Sequence, residues 1–87
     1  MGVVFSRAAI YDSETHVVVI KATFADHSSY NVRVSREALC DHFGGEDGNP
    51  PQLLRAFEAN RALFEQRARD VYASGERRDV LMTTDQF

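Results

Sequence analysis

The chain has 87 residues, room for one small domain (1–87) and too few for two. Hydrophobic residues at 44% and charged residues at 26% exclude a disordered chain. Thirteen acidic residues against ten basic ones leave a net charge of −3, which argues against a general binder of nucleic acid, since neutralising phosphates takes a basic excess.

Met1 to Phe5 (MGVVF) reads as a short edge strand, and Ser6 to Glu14 as a connection without a clear period. Thr15 to Phe24 (THVVVIKATF) is the strongest strand signal, dense in β-branched residues and free of Gly and Pro. Asp26, His27 and Ser28 supply a turn. Ser29 to Val34 then alternates, so the two segments form an antiparallel hairpin. Ser35 caps a short helix, Glu37 favours its first turn, and Gly44–Gly45 stop it. The run GGEDGNP is a loop.

Asn49-Pro50-Pro51-Gln52 starts a second helix: Asn caps, and Pro takes a first-turn position where its missing N–H costs nothing. The apolar stripe Leu53, Phe57, Phe64, Ala68, Val71 predicts one long helix, terminated at Gly75. Val80 to Thr83 is a last short strand, and Phe87 closes a polar tail. The expected fold is α+β: a small antiparallel sheet of three to four strands, with one short and one long C-terminal helix packed on one face.

Alternate strand residues face opposite sides. Val18, Ile20, Ala22 and Phe24 should pack on the long helix beside Tyr30, Val32 and Val34. Val17, Val19, Lys21 and Thr23 then share the other face with Asn31, Arg33 and either Leu81 or Met82. Val17 and Val19 form an apolar island with a polar rim. Either Ile10 and Tyr11 cover it, or a partner chain does, with a homodimer the simplest form.

Asn60 falls within the apolar stripe, where an amide needs hydrogen-bond partners. It ties the helix to a strand end or loop, with Arg61 pairing a carboxylate, or else the pair contacts a ligand. Arg55, Arg61, Arg67, Arg69, Arg77 and Arg78 are balanced by Glu58, Glu65, Asp70, Glu76, Asp79 and Asp85, which favours a solvated, ion-paired helix face. Cys40-Asp41-His42 lacks the paired spacing of a zinc site, and a helix points residues 40 and 42 apart. His16 and His27 belong to the hairpin region. GGEDG has no Gly-Lys-Ser/Thr and is no phosphate cradle, and Glu46 and Asp47 lack a full oxygen cage for a cation. The lone Cys40 excludes an internal disulfide and fits a reducing, cytoplasmic setting. No apolar run approaches the ~20 residues of a membrane span. Arg7, Asp12 and Glu14 interrupt any signal-peptide core. Met1-Gly2…Ser6 fits a short myristoylation pattern, but nine arginines to one lysine point to a GC-rich bacterial gene, where that modification is not expected.

The run LLRAFEANRALFEQRARDVYASG (Leu53–Gly75), with the following strand and the ending TTDQF, resembles the bacterial domain-of-unknown-function 1488 family. The matching positions are Leu53, Leu54, Phe57, Asn60, Arg61, Ala68, Tyr72, Gly75 and Phe87; Ser35 to Leu39 is similar too. The resemblance implies a compact α+β protein of the bacterial cytoplasm with no established activity, and it lends no catalytic residue.

The expected function is a non-enzymatic protein-interaction or regulatory module, with no catalytic residue, metal or cofactor. Its interaction residues are Val17, Val19, Lys21 and Arg33, and its motif pair is Asn60 and Arg61. The partner is a second copy or another protein, not nucleic acid and not a membrane. The alternative is a nucleic-acid-binding regulator, which would gather Arg33, Arg36, Arg61, Arg67 or Arg69 on one surface. A small enzyme would instead set His16, His27 or His42 beside a carboxylate in a cleft.

Overall fold

The computed structural model describes residues 2–43 and 49–84. Met1, the Gly44–Gly45 stop, the Glu46–Asp47 pair and the closing Phe87 lie outside those residues. In chain order the elements are β1 (Val3–Phe5), β2 (Ile10–Asp12), β3 (Val17–Phe24), β4 (Ser29–Ser35), α1 (Arg36–His42), α2 (Pro50–Ala59), α3 (Arg61–Ala73) and β5 (Val80–Met82). The fold is α+β, as the sequence predicts, with a richer sheet than expected.

β3 is the spine of that sheet. It pairs with β4 along seven residues, from Val17↔Ser35 to Thr23↔Ser29. A tight turn joins them: the Asp26 carboxylate accepts from the Ser28 amide at 3.1 Å and hydroxyl at 2.6 Å, and His27 takes a left-handed φ of 70°. On the other edge β3 pairs antiparallel with β1 at one end and with β2 at the other. Between Phe5↔Ala22 and Ile10↔Val19 the outer chain takes five steps while β3 takes three. The two extra residues form a bulge, and an even shift keeps both faces in phase. Ser6 bridges this gap. Its N–H donates to the Lys21 carbonyl at 2.8 Å, and its Oγ accepts the Lys21 N–H at 3.0 Å.

Ile10–Asp12, expected to be part of a connection, is therefore a strand. Three residues are too few to establish an alternating period in the sequence. Among the described residues the sheet has five strands, and it is mixed rather than antiparallel, because β4 and β5 run parallel. Parallel neighbours need a long crossover, and α1, α2 and α3 supply it. Asp79 sets the register: its carboxylate accepts from the Asn31 amide at 2.9 Å and from Arg33 at 3.3 Å.

The expected caps form. Ser35 Oγ accepts from the Ala38 amide at 3.1 Å, and Asn49 Oδ1 from the Gln52 amide at 3.1 Å. The long helix, however, is broken at Asn60, whose φ/ψ of −122°/17° leaves the helical region. The Asn60 N–H turns to the Phe57 carbonyl at 3.1 Å instead of reaching Ala56. The Asn60 amide side chain then donates to the orphaned Ala56 carbonyl at 2.9 Å. This is the local competition that makes Asn a poor residue inside a helix. Past the break the buried face runs Phe64, Ala68, Tyr72, so Tyr72 takes the inward place expected for Val71, which is only half-buried. Gly75 follows α3 with a φ of 96°, a conformation that glycine adopts without cost.

The helices cover one face of the sheet. Val18, Ile20, Ala22, Phe24, Val32, Val34, Val80 and Met82 meet Leu39, Leu53, Phe57, Phe64 and Tyr72 there. Phe57 stacks on Phe64 at 5.0 Å, and Phe24 meets Tyr72 edge-on at 5.0 Å. Replacing Asn60 with Ala strands the Ala56 carbonyl without removing core volume. Chemical denaturation should show a loss of about 1 kcal/mol. An unchanged midpoint would mean that the amide does not hold the break.

Candidate functional site

Two places concentrate the residues singled out by sequence: the helix break and the bare face of the sheet.

At the break, Arg61 opens α3 and its side chain is only 18% exposed. Nε donates to Glu65 at 2.7 Å and Nη1 to Glu58 at 2.9 Å. The guanidinium also reaches the connection between β1 and β2, donating from Nη1 to the Arg7 carbonyl at 3.0 Å and from Nη2 to the Ser6 carbonyl. Its Cζ also lies 5.8 Å from the Phe57 ring centre. A planar fork of fixed donors suits four acceptors in this way, and an ammonium does not. Arg69 adds a second tie, pairing with Glu65 at 3.6 Å and lying 5.0 Å from the Phe5 ring centre. Asn60 turns back onto its own helix rather than to a strand end, while Arg61 makes the link to the loop. The motif positions Leu53, Phe57, Ala68 and Tyr72 are all core residues. Their placement accounts for the motif through packing.

The other place is the outer face of the sheet. None of the described helices packs on it. One row of side chains crosses all four strand positions in register: Ile10↔Val19↔Arg33↔Leu81. On one side of it lies the row Asp12↔Val17↔Ser35, and on the other Lys21↔Asn31. Ile10 therefore sits beside Val19 instead of covering it, and it is 66% exposed. Tyr11, one residue along, points to the helix side and packs against the core. Ile10 and Tyr11 thus do not lie over the island together, because the pleat sends one of them to each face, although Val17 is covered within the chain. Val4, paired with Thr23, adds a further exposed apolar side chain at 71%, and Leu81 another at 49%. Val17 contributes least, being closed off at 5% exposure, and Met82 is buried on the helix side.

A shallow depression of about 440 Å³ lies on this face, lined by Ile10, Val19, Arg33, Asn31, Asp12 and Glu14, among others. Lys21, the chain's single lysine, stands exposed beside it. Arg33 is held at the rim by Asp79 at 3.3 Å. Asp12 closes a local turn, and the Glu14 amide at 2.9 Å and then the Thr15 hydroxyl hold its carboxyl below the ordinary aspartate range. The sequence signal for Ile10, Val4 and Leu81 was present but weak, since each sits in a strand of three residues.

The three imidazoles lie apart. His16 faces the Tyr11 hydroxyl at 3.1 Å, His42 the Thr84 carbonyl at 3.0 Å, and His27 holds the β3–β4 turn. Among the described residues, no three of His, Cys, Asp and Glu gather as a metal site, and no helix is long and apolar enough to cross a membrane.

Among the described residues, the fold and this face define a small α+β protein with three helices on one side of a mixed sheet and an uncovered apolar strip on the other. The chain belongs to the DUF1488 family, described as proteins of unknown function, whose family model matches residues 3–82. A crystal structure of a DUF1488 protein of unknown function from Shewanella loihica PV-4 is similar in fold. It has a TM-score of 0.72 and 14% identity, over 92% of this chain and 90% of that one. No curated protein matches the chain.

Replacing Arg61 with Lys keeps the charge but loses the fork. Unfolding should show a loss of about 1–3 kcal/mol, with faster amide exchange at Arg7 to Ala9. Asp26, like Asp12, is held below the ordinary range, by the Ser28 hydroxyl and then the Ser28 amide. A depressed native pKa contributes stability that is complete above the ordinary aspartate range and is lost as pH falls through the native value. Thermal melts should fall from about pH 5 downward. The Asp12→Asn, Asp26→Asn double variant should show a shallower fall, and an unchanged slope would assign the acid transition to other carboxylates.

Proposed function

We propose that this protein is a non-enzymatic interaction module whose working surface is the outer face of the sheet. The observation that supports this reading most directly is the in-register row Ile10, Val19, Arg33, Leu81, set on a sheet face that none of the described helices covers. Isolated exposed apolar residues need no explanation, but three of the four large ones on the described surface, Val4, Ile10 and Leu81, share this face. The chemistry fits a second protein surface: an apolar centre, Lys21 and Arg33 beside it, and Asp12 and Glu14 at one end. The depression is too open to enclose a small molecule, and pockets that do so bury most of the ligand.

The nucleic-acid alternative has less support. Arg33 is committed to Asp79, Arg61 to Glu58 and Glu65, and Arg69 to Glu65. A phosphate-binding surface needs cations that are not already neutralised beside it.

A photoreactive side chain placed at Ile10 tests this reading in the cells that make the protein. Adducts with protein should form there and not at Arg55 on the helical side. Adducts with nucleic acid, or equal protein adducts at both positions, would overturn it.

A further inference from the structure

Resting on that reading, we infer that the partner of this face is a second copy of the chain, docked sheet to sheet about a two-fold axis that crosses the strands at the Val19 row.

Val19 lies midway between Val17 and Lys21, two residues from each. A two-fold axis lying across the strands at Val19 therefore carries the Lys21↔Asn31 row of one copy onto the Asp12↔Val17↔Ser35 row of the other. The apolar members of the axial row, Ile10, Val19 and Leu81, meet their own counterparts. Lys21 of each copy then lies opposite Val17 of its partner, one strand spacing from Asp12 and the Glu14 turn and within reach of them for a lysine side chain. Arg33 also lies on the axis and meets its own copy there. Each Arg33 arrives with Asp79 bound at 3.3 Å, so the pair of pairs carries no net charge. The face is thus self-complementary in both senses an isologous interface requires. Apolar meets apolar, and the lysine reaches across to the carboxylates that end the opposed row.

The size of the face agrees. Eight residues of β3 at about 3.3 Å, by four strand positions about 4.8 Å apart, give a footprint near 500 Å². Two such footprints bury on the order of 1,000 Å², the lower limit for a specific interface. Aligned sheets pack in this manner in sandwiches, with inner side chains interdigitated. A face of this size gives a weak dimer, half-dissociated at roughly tens to hundreds of micromolar.

Sedimentation over a concentration series tests the assignment on the intact chain. The expected result is a concentration-dependent dimer that the Val19→Lys variant abolishes, with its circular dichroism melt confirming that it still folds. At low salt, Lys21→Glu and Glu14→Lys should each weaken the dimer about tenfold, and the double variant should restore it. Glu14 is used because Asp12 holds the turn. A monomer at roughly 500 µM overturns the second copy, as does a dimer indifferent to Val19→Lys. A double variant no better than the singles overturns the placement of the axis. The photoadduct at Ile10 separates the two levels. An adduct of twice the chain mass supports both, a protein adduct of another mass leaves the interaction reading and removes the second copy, and no protein adduct removes both.

Discussion

Strand β3 has eight residues, and the backbone groups along its outer edge need partners. Neither three-residue strand in the N-terminal segment can supply them alone. β1 and β2 therefore divide the edge, and Ser6 bridges the bulge between them with one amide and one hydroxyl to Lys21. The rest of the structure follows from keeping that divided edge in place. A bulged segment of this kind has few local bonds of its own, so it needs anchoring from outside.

Arg61 provides the anchor, and the break at Asn60 is what aims it. In a continuous helix the residue at position 61 would keep the regular angular step from Phe57 and Phe64. The kinked backbone at Asn60 instead starts α3 afresh, with its first residue turned to the Ser6 and Arg7 carbonyls. Glu58 on one side of the break and Glu65 on the other hold the same guanidinium. The motif pair thus joins three pieces of chain, the end of α2, the start of α3 and the β1–β2 connection. Partly buried, many-donor contacts of this kind are worth more than exposed ion pairs, because each lost bond strands an acceptor.

The same arrangement leaves the opposite face bare. All three described helices belong to a single crossover between β4 and β5, and they pack on the side where Val18, Ile20, Val32 and Val34 point. The even two-residue bulge keeps Ile10 in phase with Val4 on the outer side. An odd shift would have buried Ile10 and exposed Tyr11. The apolar row across the sheet is therefore a product of register, not of composition.

Much of this was legible beforehand. The β3–β4 hairpin, the caps at Ser35 and Asn49 and the glycine after α3 are local events, decided by β-branching, side-chain acceptors and φ preference within a few residues. The importance of Asn60 and Arg61 was visible as a polar pair within an apolar stripe. The carboxylate beside Arg61 was visible too, but its link to the Ser6 and Arg7 carbonyls was not, because they lie more than fifty positions away in the chain. The parallel pairing of β5 was equally hidden, since Asp79 recognises Asn31 and Arg33 across the whole crossover. Local chemistry, acting over one turn of helix or one strand, determined which segments form. Only the tertiary structure decided which edges meet, where the long helix breaks and which face stays open, because those depend on backbone groups that distant residues must satisfy.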